Sequence, residues 1–324
     1  MTSGVIQCWL YPTSERTNVF LSNCCCSRRH WASRLIRSAK TVERWDVHPA
    51  RNHPYPDSEA AAKIKAQGVE VVKADTIDKS SLLPALRGCE AAFVVTLSGF
   101  PPYSAEKPSE IAIGKNIIDA AKEAGVKFIV FSSVPGLTKL TGGKYTKCNL
   151  YDDKEEIEEY LKASGILNAS LHLGTFAENL WTGRKTLKKT DTGTFDISIP
   201  FYTPTSLSAF TWVGHDVGEA TLALLKNYTD PSKNVSGRAY PVVTGAMTFP
   251  DLANIISKAL GKEVTFTTAP PTGRPAFDEM FAAGAEYNGF YTATPVPNPD
   301  LTALGAKLAT MEEPVDAEVK PRFS

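Results

Sequence analysis

Apolar and polar positions follow a regular alternation of strand and helix patterns from about residue 57 onward. Short apolar or β-branched runs predict strands at 69–72, 91–96, 126–131 and 169–173. Helical periodicity predicts helices at 57–67, 78–86, 110–124 and 152–164. A glycine follows each helix within two residues, namely Gly68, Gly88, Gly125 and Gly165. The pattern predicts an α/β fold with a Rossmann-like doubly wound parallel sheet, because nearly uninterrupted apolar strands are typical of parallel strands covered on both faces.

Beyond about residue 175 the pattern loosens and predicts a smaller C-terminal α+β lobe. Strands are predicted at 195–201, 240–243 and 264–268, and helices at 214–225 and 249–260. The segment 270–299 is rich in Pro, Gly and Ala, which predicts a loosely packed lobe or flap. The charged tail from Glu312 predicts a frayed end.

The first part of the chain lacks the pattern that should open such a sheet. Residues 1–56 contain one glycine, Gly4, and no strand that leads through a glycine-rich turn into a helix. That turn lets the backbone approach a pyrophosphate, and the helix N-terminus supplies N–H donors. Two interpretations are open: the loop has been replaced, or residues up to about 50 come from a shifted reading frame or a misplaced exon boundary. A third possibility is that the sheet loses a central strand and binds no dinucleotide.

The chain therefore divides into three predicted parts. Residues 1–56 form an atypical N-terminal segment, residues 57–175 a Rossmann-like core, and residues 176–324 a substrate or partner lobe that is interleaved with the core.

Composition narrows the classes of partner. Lys+Arg and Asp+Glu balance at 35 each, which argues against direct binding to nucleic acid. No apolar run approaches the roughly 20 residues that a membrane helix requires. The consecutive Cys24, Cys25 and Cys26 lack the spacing of zinc ligands, so we expect free thiols, no metal site and a reducing cytoplasmic or nuclear setting.

The residues at the carboxyl ends of the predicted strands are the first candidates for a site, because ligands of open parallel sheets bind outside those ends. The candidates are Asp75, Thr96, Ser132, Ser133 and Gly174.

Several stretches share the order and spacing of a known family. They are 58–75, 110–125, 131–133, 140–145, 154–161, Gly174-Thr-Phe-Ala-Glu-Asn179 and Asp216-Val-Gly218. Together they resemble the NmrA-like family of atypical short-chain dehydrogenases over about residues 57–270. The resemblance implies a Rossmann core with a smaller lobe, a cleft between them, and NADP or NAD as the cofactor. It also implies two roles, since some members are reductases and others are dinucleotide sensors that bind protein partners.

Lys154 is the most informative of the candidates. Classical short-chain dehydrogenases place a tyrosine four residues before the matching lysine, where the lysine binds the nicotinamide ribose and lowers the pKa of the tyrosine. Here Leu150 holds that position, and Tyr151 lies three residues before the lysine. Reductases that resemble isoflavone reductase use the matching lysine without that tyrosine. The alternative is a solvated lysine supported by Glu158 at i+4.

The resemblance gives the other candidates a place beside the cofactor or the substrate. Asp75 would accept a hydrogen bond from the adenine amine, or else cap the next helix. Thr96 and Gly174 would lie along the cofactor. Ser132 and Ser133 would bind the substrate carbonyl or the cofactor, or else cap a turn.

Two further features bear on binding. Arg51 would contact a 2′-phosphate, as an arginine after the second strand does in NADP binders. His215-Asp216 suggests an acid–base pair, although Asp216 suits the N-cap of the helix through Leu225 better.

Two functions remain open from the sequence. The first is an NAD(P)H-dependent oxidoreductase of a small carbonyl or enone compound, with Lys154, Ser132, Ser133 and Tyr151 at the reacting centre. Aromatic residues of the lobe would wall its substrate pocket: Phe195, Phe201, Tyr202, Phe210 and Trp212. The second is a redox sensor that regulates a transcription factor, which the missing Tyr-x-x-x-Lys pair favours. The partner is a small molecule in the first case and a regulatory protein in the second.

Overall fold

A computed structural model describes residues 7–12, 18–23, 66, 70–96, 109–182 and 186–324. Its largest element is a seven-stranded sheet in the order β11-β6-β5-β4-β1-β2-β3. The strands are β1 (Gln7–Pro12), β2 (Asn18–Asn23), β3 (Glu70–Asp75), β4 (Ala91–Val95), β5 (Phe128–Ser133), β6 (Leu167–Leu173) and β11 (Arg238–Val242). The strands β1, β4, β5, β6 and β11 run parallel to one another, which confirms the predicted α/β class.

The N-terminal segment supplies the central strand that the sequence left in doubt. Strand β1 pairs in parallel with β4, with Gln7 opposite Ala91 and Leu10 opposite Val94. Strand β2 then pairs antiparallel with β1 and with β3. Only residues 13–17 separate β1 from β2, and a parallel crossover needs a dozen or more residues, so the two strands can pair only as a hairpin. The possibility that the sheet loses its central strand is therefore wrong.

Helices cover both faces of the parallel strands. On one face lie α1 (Lys79–Leu86), α2 (Glu110–Glu123) and α4 (Asn149–Ala163), and the short α3 (Leu137–Leu140) packs against α4. On the other lies α5 (Gly218–Asn227), which follows a π-helical turn at Val213–Val217. The first face buries a core that includes Ile117, Ile129 and Ile157, and the second buries one that includes Phe128, Leu171 and Leu224. Each such side chain contributes roughly 1.5–3 kcal/mol when fully buried.

Residues at its two ends determine where α2 begins and ends, and this helix positions a side chain of the candidate site. The Ser109 side chain accepts a hydrogen bond from the Ala112 amide at 3.2 Å and caps the helix. Gly125, with φ of 81°, follows its C-terminal end. The helix begins and ends within one residue of the predicted 110–124.

The lobe contains two three-stranded sheets. One has the order β12-β10-β7 and the other β13-β9-β8. Their strands are β7 (Thr175–Phe176), β8 (Leu187–Lys189), β9 (Phe195–Pro200), β10 (Leu207–Thr211), β12 (Gly245–Thr248) and β13 (Val264–Ala269). Helix α6 (Phe249–Leu260) matches the prediction, because a Thr248–Asp251 capping box opens it and Gly261 in left-handed conformation follows it.

Two predictions about the C-terminal part are wrong. The segment 270–299 contains a regular helix, α7 (Pro275–Glu286), and it buries Phe277 and Ala283. The short α8 (Pro299–Ala303) follows it. The tail is not frayed: it continues through α9 (Glu312–Pro314), a π-helical turn and α10 (Lys320–Phe323), and buries Val315 and Val319 in the lobe core. Two apolar residues four positions apart dock this charged segment.

Within the described residues, no helix is both long enough and apolar enough to span a bilayer.

Candidate functional site

The carboxyl ends of β4, β5 and β6 lie side by side and bring four predicted residues to one edge. Val95, just before Thr96, lies opposite Ser132, and Ser133 lies opposite His172. Gly174 follows the end of β6. The structure therefore places Thr96, Ser132, Ser133 and Gly174 along the edge where open parallel sheets bind ligands.

Lys154 reaches this edge from α4 and ends in a closed set of hydrogen bonds. Its ammonium donates to the Thr96 carbonyl oxygen at 2.8 Å, to Thr96 Oγ1 at 3.1 Å and to Glu110 Oε1 at 2.5 Å. A lysine has three N–H donors, so all of them are engaged. The side chain is 18% exposed, and Glu158 is not its partner. The alternative of a solvated lysine is therefore wrong.

Glu110 completes this arrangement and was not among the predicted residues. It occupies the first turn of α2, where the helix dipole favours a carboxylate. Its side chain is fully buried, and Oε1 also accepts a hydrogen bond from Thr96 Oγ1 at 2.5 Å. Its second oxygen, Oε2, is buried without a hydrogen-bond partner. The site thus holds an ion pair with one carboxylate oxygen to spare.

The two candidate serines point to opposite faces of the sheet, since side chains alternate along a strand. Ser132 shares the face of Phe128 and Val130, which pack toward α5. Ser133 shares the face of Ile129 and Phe131, which pack toward α2 and α4. Only Ser133 is therefore on the side from which Lys154 approaches.

Asp75 lies at the same edge but at a distance from Lys154. Three strand spacings separate β3 from β4, which amounts to about 14 Å. Its carboxylate accepts a hydrogen bond from the Ile77 amide at 2.9 Å, and it is Asp78 that caps the next helix. Asn116 of α2 holds the following loop through the carbonyl oxygens of Thr76 and Ile77. Asp75 is thus fixed in a turn that suits the far end of a long ligand.

Tyr151 faces away from the lysine contacts into an apolar cluster. It packs with Leu150, Leu137 and Ala283 between α4 and α7. Its ring meets the Phe290 ring edge-on, with centroids 5.8 Å apart. Leu150, at the position that a classical tyrosine would hold, is part of the same cluster.

Gly174 is required by close backbone packing. A Cβ at this position would overlap the carbonyl group of Ala209 in β10. Its amide donates to Thr211 Oγ1 at 2.8 Å. The close approach joins the end of β6 to the lobe, which is a structural reason for glycine here.

His215 and Asp216 lie in contact, but Asp216 does not cap the helix through Leu225. The Asp216 carboxylate is fully buried and accepts hydrogen bonds from Thr244 Oγ1 at 2.5 Å and the Ala309 amide at 2.9 Å. Its Oδ1 also lies 2.8 Å from His215 Nδ1, which raises the pKa of that histidine. No side chain caps the turn through a hydrogen bond at its own N-cap position, so the proposed Asp216 cap is wrong. Asp216 instead ties the lobe to the C-terminal segment.

Glu178 does the capping at this turn. Its carboxylate accepts hydrogen bonds from the Val213 amide at 3.2 Å and the Gly214 amide at 2.8 Å. Burial raises the pKa of Glu178 to about 7, although those two amides oppose the shift.

Two other carboxylates of α4 have shifted pKa values. Burial, followed by the charge of Glu110, raises the pKa of Asp153 to about 6. Burial would also raise that of Glu158, but hydrogen bonds from His172 at 2.8 Å and Lys162 at 3.0 Å outweigh it, and the pKa falls to about 2. His172 is thus held by α4.

The five aromatic residues predicted to wall a pocket differ in their exposure. Phe195, Tyr202 and Phe210 are buried in the lobe core. Trp212 is also buried, where its ring stacks on His215. Phe201 alone of the five is exposed, at 36%. Four of the five side chains are thus buried inside the lobe, and a pocket that these residues wall stays a prediction.

Arg51, the cysteines Cys24, Cys25 and Cys26, and the predicted helix at 57–67 lie outside the described residues. Among the described residues, no group of three or more His, Cys, Asp and Glu side chains could hold a metal ion.

The edge fits the two ends of a dinucleotide better than its middle. A fixed ammonium beside Thr96 suits a ribose hydroxyl, and Asp75 suits a base amine farther along. Only five residues, however, separate strand β2 from the end of β1, where a glycine-rich turn and a helix would follow in a typical dinucleotide-binding domain. The described residues therefore include no helix directly after β1 that could donate to a pyrophosphate.

Comparison of the sequence with known proteins identifies a family for this chain. A model of the NmrA-like family matches residues 28–294, well over half of the chain. The chain is 40% identical over 111 residues to FrzB of Cladobotryum sp, an NmrA-like family domain-containing oxidoreductase, and this match spans 34% of the chain and only 33% of FrzB. It is 29% identical over 241 residues to the oxidoreductase cpsB of Aspergillus campestris, covering 70% of the chain and 68% of cpsB.

Solved structures agree on the fold. The negative transcriptional regulator NmrA in complex with NADP superposes with a TM-score of 0.67 at 21% identity, covering 90% of this chain and 92% of NmrA. The NADPH-dependent quinone oxidoreductase QOR2 of Escherichia coli, complexed with NADPH, gives a TM-score of 0.60 at 23% identity, covering 88% of this chain and 95% of QOR2. With the family match across most of its length, the chain belongs to the NmrA-like family.

Proposed function

We propose that this protein is an NAD(P)H-dependent oxidoreductase that reduces a small carbonyl or enone compound. The observation that carries the proposal is the ammonium of Lys154, fixed at the end of β4 by Thr96 and Glu110. A buried positive charge at the ligand edge of a parallel sheet has the position that a ribose-binding lysine needs. The names of FrzB, cpsB and QOR2 as oxidoreductases support the same class.

NADP or NAD would supply the hydride, and residues of this chain would position the reactants. Lys154 would bind the ribose next to the nicotinamide, which requires it to exchange at least one of its three present acceptors. Ser133, on the same side of the sheet, would orient the substrate oxygen. Ser132 and Tyr151 are less favoured, since Ser132 points toward α5 and Tyr151 packs against Phe290.

Residues farther along the edge would hold the rest of the cofactor. Asp75 would accept a hydrogen bond from the adenine amine, and the backbone at Thr96 and Gly174 would lie along the dinucleotide. Arg51 would face a 2′-phosphate. The pyrophosphate has no glycine loop in this chain, so we assign no residue to it.

Oxidation of NADPH with a panel of small ketones, quinones and enones tests the proposal. We expect turnover with at least one member, and we expect Lys154→Ala to reduce kcat/KM by 10-fold or more, of the order found for positioning groups. Absence of turnover across the panel, from a folded protein that binds NADPH, would contradict it.

A second function is favoured by two observations. Leu150 replaces the classical tyrosine, and all three donors of Lys154 are already engaged. Both suit a non-catalytic sensor that binds NADP or NAD and regulates a transcription factor, as the description of NmrA as a negative transcriptional regulator suggests. Such a sensor would bind dinucleotide and turn over nothing in the panel.

A further inference from the structure

Tyr291 carries a phenol hydroxyl that serves no structural purpose in the described part of the chain. The side chain is 6% exposed, and its oxygen is buried without a hydrogen-bond partner. An unpartnered buried polar group costs about 1–3 kcal/mol, and a phenylalanine of the same shape would avoid that cost. Stability of the fold therefore does not explain why this position carries a hydroxyl group.

The surroundings of Tyr291 place it between the lobe and the candidate site. Its ring lies against the His172 ring, with centroids 6.5 Å apart, and His172 lies opposite Ser133 at the sheet edge. Burial, followed by the nearby Tyr151 and Glu158, raises the pKa of Tyr291 well above its usual range. The phenol is therefore neutral at physiological pH and can donate a hydrogen bond.

The three residues before Tyr291 have a strained backbone that lies close against β10. Asn288, Gly289 and Phe290 all have positive φ values, of 50°, 70° and 66°. A Cβ on Gly289 would overlap the backbone of Ser208 and Ala209, so the segment is pressed against β10. A non-glycine residue with positive φ costs on the order of 1–3 kcal/mol, and such strain is found where a side chain must be delivered to a particular place.

Phe290 contacts both Tyr151 and Tyr291. Its partly buried ring contacts Tyr151 on one side, with centroids 5.8 Å apart, and Tyr291 on the other, with centroids 6.4 Å apart. Because these rings are in contact, a flat, apolar compound would bind here only in place of the Phe290 ring, and it would then bring a polar atom to the enclosed hydroxyl.

We propose that Tyr291 is a substrate-binding residue, whose hydroxyl donates a hydrogen bond to the carbonyl oxygen of an aromatic ketone or quinone that takes the place of the Phe290 ring beside Tyr151. The proposal rests on the proposed oxidoreductase function and names its substrate class. A neutral phenol aimed at a carbonyl oxygen both orients the substrate and stabilises the negative charge that hydride addition creates there. No covalent bond to Tyr291 is formed or broken.

The test compares the wild-type chain with Tyr291→Phe and, as the matched control, Tyr240→Phe. Tyr240 is also buried, but its hydroxyl donates to the Val235 carbonyl oxygen at 3.2 Å on the opposite face of the sheet. Each protein is unfolded in urea, titrated with NADPH, and titrated with phenanthrenequinone in thiol-free buffer, with and without NADP. The quinone titration requires no turnover.

We expect Tyr291→Phe to be at least as stable as the wild type, to bind NADPH equally well, and to bind phenanthrenequinone about tenfold more weakly. Tyr240→Phe should lose stability and keep the wild-type affinity for the quinone. Equal quinone affinity in Tyr291→Phe and the wild type overturns the proposal, as does a wild type that binds no quinone. Loss of folding in Tyr291→Phe also overturns it, since the hydroxyl would then have a structural role. Failure to bind or oxidise NADPH would count against the proposed function alone.

Discussion

The ammonium of Lys154 lies 2.5 Å from the Glu110 carboxylate, and the pair joins α4 to α2 across the carboxyl end of β4. The two charged residues come from different helices and are 44 positions apart in the sequence. The ion pair fixes the positive charge of Lys154 at the edge of the sheet.

Removing the lysine alone should destabilise the protein. Lys154→Met would leave the buried Glu110 carboxylate without its cation, and breaking one side of a buried ion pair costs about 3–5 kcal/mol. Urea unfolding at neutral pH measures the difference in free energy of unfolding from the wild type.

A double variant separates the effect of the ion pair from that of its surroundings. Glu110→Gln with Lys154→Met removes both charges, so we expect the double variant to recover at least half of the loss. Equal losses in the single Lys154→Met variant and the double variant would show that Glu110 carries no unpaired charge in the single variant.

The two serines should differ in their effect on turnover. Ser133 faces α2 and α4, whereas Ser132 faces α5. With a carbonyl substrate identified, we expect Ser133→Ala to lower kcat/KM by roughly 10-fold or more and Ser132→Ala to change it by less than about threefold. Steady-state kinetics of the two variants side by side is the measurement, and a larger loss in Ser132→Ala would reverse the assignment.

Glu178 should make the protein less stable as the pH rises toward neutrality. Its pKa rises from 4.5 to about 7 in the folded state, so the folded protein binds the proton more tightly than the unfolded chain. The cost is absent below pH 4.5, grows between pH 4.5 and 7, and reaches roughly 3 kcal/mol above that range. The difference in unfolding free energy between Glu178→Gln and the wild type should therefore increase across this window; a flat difference would contradict it.

Glu158 should show the opposite dependence. His172 and Lys162 hold its folded-state pKa at about 2, below the ordinary 4.5. Its contribution to stability is therefore complete above pH 4.5 and is lost as the pH falls toward 2. Acid unfolding of Glu158→Gln beside the wild type checks this: the variant should be less stable at pH 6, and the two should converge in acid.

Most elements of the core could be predicted because their signals are local. Helix α2 has a cap, an apolar stripe and a terminal glycine within one stretch, and β4 is an uninterrupted apolar run. The prediction for the C-terminal tail was wrong for the opposite reason. Val315 and Val319 are two apolar residues in a charged segment, and only the lobe core that receives them makes the segment helical.

The site was predictable at its strand ends and not beyond. The parallel sheet places Thr96, Ser133 and Gly174 together by topology alone. The partners come from distant segments: Glu110 from the start of α2, and Tyr291 from a turn pressed against β10. Burial of Asp216 similarly depends on Thr244 and the Ala309 amide, so its helix-cap pattern was misleading.

Direct titration with NADPH, and then NADH, tests the central claim that this chain binds a nicotinamide dinucleotide at the edge around Lys154. Binding is followed through quenching of the fluorescence of the five tryptophans, in the wild type and in Lys154→Ala. We predict saturable binding with a Kd in the micromolar range or tighter for the wild type, and at least tenfold weaker binding for the variant. A folded wild-type protein that shows no saturable binding would contradict the claim, and would mean that the hairpin of β1 and β2 does not complete a cofactor site.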